Sequence, residues 1–90
     1  MVELPERPRL AQGARLQFDK TRDAWVLLSP ERVMMLEGPA ADILQRCDGV
    51  RTVDQIIDEL ASIYTADRAE IAPDVRDMLT DAADKGLVRA

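Results

Sequence analysis

The sequence contains no histidine, and this absence removes several kinds of active site. Without an imidazole there is no Ser-His or Cys-His nucleophile pair and no imidazole ligand for a metal ion. The four glycines stand singly, so they form neither a phosphate-binding loop nor a dinucleotide fingerprint. The carboxylates do not follow the spacing of a calcium loop. These absences favour a binding protein without cofactor or metal over an enzyme.

Cysteine is also scarce. The single cysteine, Cys47, cannot close an internal disulfide, and its spacing from Ile43 and Leu44 places it on the apolar stripe of a helix. The sequence lacks the pattern of a signal peptide and any apolar run near the roughly 20 residues that span a bilayer. We therefore expect a buried, structural thiol in a cytoplasmic protein that has no membrane segment.

The residues that are present suffice for one small globular domain. The chain has 90 residues, of which 47% are hydrophobic and 32% are charged. Its net charge of −5 is unevenly distributed, because residues 1–36 hold six basic and five acidic groups whereas residues 37–90 hold six basic and twelve acidic groups. The second part would repel a phosphate backbone. We therefore expect no binding to nucleic acid.

The first part of the chain predicts an extended arm and three strands. Pro5 and Pro8 favour extended backbone, so we expect an arm over residues 1–14 and a single domain over residues 15–90. Apolar alternation between turn-forming residues then predicts three antiparallel strands, over residues 15–20, 24–28 and 32–36.

The second part predicts three helices in a helix-turn-helix arrangement. Pro39 at the first helical position opens the first helix, and Gly49 terminates it. Thr52 and Gln55 form a capping-box pattern at the start of the second helix. The predicted fold is therefore α+β and winged-helix-like, with a three-stranded antiparallel β-meander followed by a three-helix bundle.

The last helix has a defined end and an ambiguous beginning. Asp67 and Glu70 offer a second capping box, but Pro73 follows six residues later and would remove one internal hydrogen bond. The helix either kinks at Pro73 or starts near it. The segment 85–87, Lys-Gly-Leu, is typical of a basic last turn, a glycine cap and a hydrophobic contact, after which Val88 is expected to meet the core.

The predicted last helix also carries a series of carboxylates. Six acidic residues recur there at spacings of three or four: Asp67, Glu70, Asp74, Asp77, Asp81 and Asp84. If the helix is continuous, they form one acidic stripe beside its apolar face. Such a stripe is typical of a solvated helix face, and it would also suit a basic partner segment. A helix that reads DNA needs basic and amide groups instead, so the stripe argues against a DNA-binding role.

The third predicted strand is the strongest candidate for a binding surface. The second and third strands are apolar on both faces, whereas three helices can cover only one face. The other face must be shielded by the arm, by a second copy of the chain or by a ligand. An edge strand also offers free N–H and C=O groups, which an extended peptide can join by β-augmentation. Met34 and Met35 suit such an adaptable surface, and they equally suit the protein's own core.

Four segments of the sequence together resemble one family. They are W-V-L-L-x-P-E-R-V from residue 25, A-x-x-I-L-x-x-C-D-G from residue 40, T-V-x-x-I-I-x-x-L-A from residue 52 and K-G-L-V from residue 85. As a set they are similar to the coenzyme pyrroloquinoline quinone synthesis protein D family (PqqD). The resemblance implies a winged-helix-like RiPP recognition element, which is a chaperone for a ribosomally made precursor peptide.

The resemblance also implies a mechanism and a site. Members of that family hold the precursor peptide of pyrroloquinoline quinone synthesis and present it to a radical S-adenosylmethionine enzyme, while the chaperone performs no chemistry. The peptide is implied to add as a strand beside the third strand, in the groove toward the last helix. In this chain the implied strand contacts are Arg32, Val33, Met34, Met35 and Leu36, and the implied helix contacts are Val75, Met78, Leu79 and Ala82.

A second interpretation stays open on the sequence alone. The chain would then be an acidic, dimerising winged-helix protein that acts as a transcriptional regulator or an interaction module. Its surplus apolar surface would be an interface between copies. The exposed edge and the proline-containing arm would allow a homodimer to form by exchange of the edge strand or of the arm.

Overall fold

The computed structural model of the protein describes residues 4–90, so the first three residues of the predicted arm lie outside the described residues. Within this range the chain forms five strands and three helices. In chain order they are β1 (Arg9–Leu10), β2 (Arg15–Asp19), β3 (Ala24–Leu28), β4 (Val33–Met35), α1 (Ala40–Gln45), α2 (Val53–Ile63), α3 (Arg68–Asp84) and β5 (Val88–Arg89).

The predicted β-meander is confirmed. Strands β2, β3 and β4 form one antiparallel sheet in this order, and Leu27 lies opposite Leu16 on one side and Met34 on the other. Strand β2 ends one residue earlier than the predicted segment 15–20. Strand β4 is shorter than the predicted segment 32–36 by one residue at each end. The hairpin between β2 and β3 is closed by Asp19, whose carboxylate accepts hydrogen bonds from the backbone N–H groups of Thr21 and Arg22.

A second sheet, which was not predicted, joins the two ends of the described chain. Strand β1 pairs with β5 in antiparallel fashion, so that Leu10 lies opposite Val88 and Arg9 lies opposite Arg89. Leu10 packs against the core and Val88 is buried in it, as expected for Val88. The predicted count of three strands was therefore wrong. Two-residue strands are too short to show an alternating pattern, and their pairing depends on residues far apart in the chain.

The start signals of the first two helices are confirmed with one small change. Pro39 occupies the position before the first helical residue of α1, one residue earlier than predicted. At α2, the Thr52 hydroxyl accepts a hydrogen bond from the Gln55 N–H at 3.1 Å, and the Gln55 side chain accepts one from the Thr52 N–H at 2.8 Å. This reciprocal pair is the predicted capping box, and it satisfies two N–H groups that the first turn leaves free.

Helix α3 is continuous from Arg68 and contains Pro73, so the proline does not mark its start. The capping box predicted for its first turn is wrong, because the Asp67 side chain makes no capping hydrogen bond. The N–H of Glu70, which a capping side chain would bind, instead donates to the main-chain carbonyl of Asp67 at 2.9 Å. The helix thus begins with a backbone turn rather than with a side-chain cap.

The end of α3 follows the prediction closely. Gly86 adopts a left-handed conformation with φ of 75°, and its N–H donates to the Ala83 carbonyl. The next N–H, from Leu87, donates to the Ala82 carbonyl at 2.9 Å, and the Leu87 side chain is buried. These two hydrogen bonds form a Schellman motif, which turns the chain from α3 into β5.

One hydrophobic core lies between the inner face of the three-stranded sheet and the helices. Its fully buried members come from β3 and from all three helices, and they include Leu27, Ile43, Leu44, Ile56, Ile57, Leu60, Val75, Leu79 and Ala82. The predicted burial of Cys47 is also confirmed. Burial raises the pKa of its thiol to about 12, and the neighbouring charge of Asp48 acts in the same direction.

The state of Cys47 can be checked by thiol chemistry. At pH 8 a thiol of pKa about 12 is ionised about a thousandfold less than one at its ordinary value of 9.0. We expect a disulfide reagent such as DTNB to modify the native chain at least about a hundredfold more slowly than the chain in concentrated urea. A native rate within tenfold of the unfolded rate would show that the thiol is accessible and ionisable.

Strain at the end of α2 gives a second prediction. Thr65 follows the helix with φ of 51°, a left-handed conformation that is costly for a β-branched residue. Replacing it with glycine, Thr65→Gly, should raise the free energy of unfolding in urea by about 1 kcal/mol. Ser62→Gly is the matched control, because Ser62 lies inside the last turn of α2 and glycine there should lower stability. A Thr65→Gly protein that is less stable than the parent would contradict the strain argument.

Candidate functional site

Strand β4 is an edge of the three-stranded sheet. It pairs with β3 on one side, and no other described strand pairs with it on the opposite side. The strand therefore keeps a row of backbone groups that the sheet does not use. We call the backbone N–H and C=O groups on this side of β4 the free edge.

The residues that supply the free edge follow from the hydrogen bonds to β3. The N–H of Arg32 donates to the Ser29 carbonyl at 3.4 Å and the Ser29 N–H donates back at 2.9 Å, while the N–H of Leu36 donates to the Trp25 carbonyl at 3.0 Å. In an antiparallel ladder, hydrogen-bonded residues alternate with residues whose backbone groups point away. Because Arg32 and Leu36 bond to the β3 side, the backbone groups of Val33 and Met35 point outward and form the free edge.

The side chains of β4 alternate between the two faces of the sheet. Met34 lies opposite Leu27 and packs against the core, and Leu36, just past the strand, is buried within it. Val33 and Met35 lie on the outer face, where they are 66% and 42% exposed. The sequence left open whether the two methionines fill the core or form an adaptable surface. Met34 contacts the core, and Met35 lies on the surface.

The outer face of the sheet is shielded by the chain's own side chains. Val26 lies on that face between Gln17 and Met35, yet it is only 5% exposed. The Arg22 guanidinium reaches over to Met35 and donates to its sulfur at 3.4 Å. The described part of the arm does not perform this task, because its strand pairs with β5. Arg22 was not among the predicted site residues, since its position depends on the geometry of the β2–β3 hairpin.

Three of the four predicted helix contacts lie in the core. Val75, Leu79 and Ala82 are at most 1% exposed, so they have no surface to offer a ligand in this conformation. Their spacing marks the innermost line of an amphipathic helix, where side chains meet the sheet and α2. Met78 is the exception, because it is only partly buried at the edge of the core.

Two contacts show how α3 is oriented about its axis. Arg76 bonds to Asp54 of α2 at 3.3 Å, so its flank faces α2. Met78 projects about 160° away from Arg76 around the helix, by the 100° turn of each residue. At the C-terminal end of the same flank, Lys85 lines one depression together with Arg32. The flank that carries Met78 therefore faces away from α2, and its C-terminal end lies near Arg32.

The acidic stripe of α3 lies on this flank. All six of its residues are exposed: Asp67, Glu70, Asp74, Asp77, Asp81 and Asp84. Since α3 is continuous, their spacing places them together beside Met78, as the sequence predicted for a continuous helix. The exposed surface of the helix is thus anionic, which is unfavourable for insertion into a DNA groove.

The groups with shifted pKa values lie away from β4. Hydrogen bonds from the backbone N–H groups of Arg51 and Val50 lower the pKa of Asp48 in the α1–α2 turn. A hydrogen bond to Asp42 raises the pKa of Tyr64, and one to Asp58 raises the pKa of Arg68. These shifts belong to turns and surface pairs, and none of them marks a candidate acid or base near β4. Within residues 4–90 there is no group of three side chains able to hold a metal ion, and no helix has the length and apolarity needed to cross a membrane.

The sequence matches one protein family over most of its length. A model of the family described as Coenzyme PQQ synthesis protein D (PqqD) matches residues 24–88. The chain is also 57% identical over 87 residues to a PqqA binding protein from Rhodopseudomonas palustris (strain BisB5). That alignment covers 97% of this chain and 85% of the relative.

Two solved structures share the fold. One is the solution NMR structure of the PqqD truncation of Methylobacterium extorquens PqqCD, described as a functional, stand-alone RiPP recognition element. It is 42% identical, with a TM-score of 0.80 over 92% of this chain and 88% of that chain. The other is a crystal structure of PqqD from Xanthomonas campestris, 41% identical with a TM-score of 0.64 over the full length of both chains. With the family model and these relatives in agreement, the chain belongs to the coenzyme PQQ synthesis protein D (PqqD) family.

Proposed function

We propose that this chain binds the PqqA precursor peptide of PQQ synthesis by adding it as a strand to the free edge of β4. The names of its relatives support the choice of ligand, since they are PqqA binding proteins and a RiPP recognition element. The observation that carries the mode of binding is the outward direction of the Val33 and Met35 backbone groups. An extended peptide can pair with these groups without breaking any hydrogen bond between β3 and β4.

The other edge of the sheet, β2, is a poorer template. Its sequence, Arg-Leu-Gln-Phe-Asp, places charged residues at both ends, which is a common protection of edge strands against pairing. Helix α1 also packs against β2. Strand β4, Val-Met-Met, has no charged residue within it. Of the two edges of this sheet, β4 is therefore the one that offers a peptide an apolar and adaptable surface.

The two faces of the sheet would give the bound peptide its side-chain contacts. Alternate residues of an added strand would lie on the outer face beside Val33 and Met35. The residues between them would point toward the flank of α3 that carries Met78. Flexible thioethers adapt to irregular side chains, so both contacts can accept a peptide of mixed sequence. The buried residues Val75, Leu79 and Ala82 would support this wall from within the core.

The chain would act by holding the peptide for another protein, which we propose to be a radical S-adenosylmethionine enzyme. Pairing along β4 would fix the peptide in an extended conformation and reduce the entropy lost on entering an active site. Delivery from a shared complex would raise the effective concentration of the peptide at the enzyme. No group of this chain needs to take part in the chemistry, and its one thiol, Cys47, is buried.

Proline substitution on the free edge tests the proposed pairing. Met35→Pro removes an outward N–H but no hydrogen bond to β3, so the fold should persist while PqqA binding weakens by about tenfold or more. Met35→Ala is the matched control, because it removes the side chain and keeps the N–H. Asp77→Ala on the exposed stripe of α3 should bind as the parent does. Isothermal titration calorimetry measures the affinities, and circular dichroism checks the fold.

The outcome that contradicts strand addition is equal affinity of Met35→Pro and Met35→Ala in folded proteins. The same variants test delivery to the enzyme. If the peptide reaches the radical S-adenosylmethionine enzyme through β4, peptide modification should slow with Met35→Pro in proportion to the lost affinity. Excess peptide should then restore the rate. Modification that is indifferent to the variant would remove the delivery role while leaving peptide binding intact.

A second copy of the chain is the competing occupant of the free edge. Antiparallel pairing of two β4 strands about Met34 would place Val33 of one copy opposite Met35 of the other, and would bury the most exposed apolar residues of the sheet. Peptide and second copy would then exclude each other. Sedimentation should show a dimer that dissociates when PqqA is added. A dimer that persists at saturating peptide would place the contact between copies elsewhere on the surface.

A further inference from the structure

The sulfur-containing side chains of this protein differ in their access to solvent. Three of the four methionines and the single cysteine lie within residues 4–90, and of these four residues Met35 alone is exposed. Cys47 is buried, and Met34 and Met78 are partly buried against the core. A thioether reacts with a peroxide without first losing a proton, so access to the sulfur decides which methionine reacts first. In the described part of the chain, Met35 is therefore the residue most open to oxidation.

The sulfur of Met35 has a charged hydrogen-bond donor beside it. The Arg22 guanidinium donates to this sulfur at 3.4 Å. The Nε of Arg22 also lies 3.8 Å from the Asp19 carboxylate, which accepts the Arg22 backbone N–H at 3.3 Å. The hairpin thus holds the guanidinium next to Met35. A thioether sulfur is a weak acceptor, whereas the oxygen of a sulfoxide is polar and accepts strongly.

Met35 also lies where a change of polarity would alter the proposed peptide site. Its backbone groups belong to the free edge, and its side chain lies beside Val33 on the outer face of the sheet. A strand added to β4 would place alternate side chains on this same face. An apolar Met35 gives these side chains an adaptable contact, and a polar one does not.

We propose that Met35 is a site of reversible oxidation, at which a peroxide lowers the affinity of this chain for the precursor peptide. This inference rests on the proposed function, because it takes strand addition at β4 as its starting point. Oxidation changes the side chain and leaves the backbone N–H and C=O of Met35 as they are. Binding is therefore weakened, and less than it is by the loss of a backbone donor in Met35→Pro.

The reaction is a two-electron oxidation by hydrogen peroxide. A lone pair of the Met35 sulfur attacks one peroxide oxygen, so that an S–O bond forms while the O–O bond breaks. The departing hydroxide takes the proton of the transferred hydroxyl group, and the products are one sulfoxide and one water. The sulfur is oxidised and the peroxide is reduced. The new oxygen accepts a charge-assisted hydrogen bond from Arg22, which keeps the polar group on the outer face.

Peptide mapping locates the modified residue. The native chain is treated with hydrogen peroxide, sampled over time, digested and sequenced by tandem mass spectrometry. We expect Met35 to be converted at least about fivefold faster than Met34 and Met78, because these two are partly buried. The fragment that contains Met1 is quantified separately. Conversion of Met34 or Met78 at the rate of Met35, or faster, would overturn the assignment.

Calorimetry with the PqqA peptide of Rhodopseudomonas palustris measures the effect on binding. Catalase removes the peroxide before the peptide is added, so that only this chain is modified. The oxidised chain should bind about fivefold more weakly than the reduced one, because the sulfoxide removes an apolar contact. Treatment with methionine sulfoxide reductases of both stereospecificities and a thiol reductant should restore the affinity. Circular dichroism checks that the fold persists.

Substitutions at two methionines assign the effect to one residue. Met35→Leu keeps an apolar side chain without sulfur, so it should bind like the reduced parent and ignore peroxide. Met35→Gln places a polar group there permanently and should bind like the oxidised parent. Met78→Leu is the matched control and should remain sensitive to peroxide. A folded Met35→Leu chain that still loses affinity on oxidation would overturn the proposal.

The contact between Arg22 and the sulfoxide has its own test. Arg22→Gln removes the charged donor, and urea unfolding is followed in the reduced protein and in protein oxidised at Met35. The substitution should lower the midpoint of unfolding more in the oxidised protein, because only the sulfoxide offers a strong acceptor. Equal shifts in the two forms would show that Arg22 does not hold the sulfoxide.

The outcomes also separate this proposal from the function on which it rests. If the reduced chain binds PqqA and selective oxidation of Met35 leaves the affinity unchanged, regulation by oxidation is overturned while peptide binding stands. If the reduced chain binds no PqqA, the proposed function is overturned and the regulation falls with it. The order of oxidation found by peptide mapping then still decides whether Met35 is the modified residue.

Discussion

The alternation of hydrogen bonds along β4 is the constraint on which the binding account depends. Arg32, Met34 and Leu36 direct their backbone groups toward β3, while Val33 and Met35 direct theirs outward. Burial also holds the strand in place, because the side chains of Met34 and Leu36 pack in or against the core. The strand is therefore held firmly by one set of residues and left free to pair through the other. A rigid edge of this kind costs a ligand little reorganisation of the protein.

The electrostatic organisation of the molecule is consistent with this picture. Helix α3 carries its exposed acidic stripe on the flank of Met78, and Lys85 at the end of this helix lines a depression together with Arg32. In the proposed complex, the charges of an extended ligand would contribute more to orientation and rate of encounter than to affinity. Backbone pairing is insensitive to sequence, so it would make the site adaptable.

Much of the fold could be predicted because its signals are local. Capping at Thr52, the glycine turn at Gly86 and the alternating strands each depend on residues close in sequence. The β1–β5 ribbon could not, because it pairs residues 9 and 89 through tertiary contact alone. The same distinction applies to the proposed site. The sequence predicted the edge strand β4, but the implied helix contacts included the core residues Val75, Leu79 and Ala82. Apolar spacing does not separate the centre of a buried stripe from its exposed margin.

Amide hydrogen exchange of the isotope-labelled chain, with and without the PqqA peptide, tests the central claim most directly. Strand addition at β4 predicts that the amides of Val33 and Met35 become strongly protected on binding. The amides of Arg32 and Leu36, already bonded to β3, should change little. A saturating peptide that leaves the exchange of Val33 and Met35 unchanged, or that protects alternate residues of β2 instead, would contradict the account.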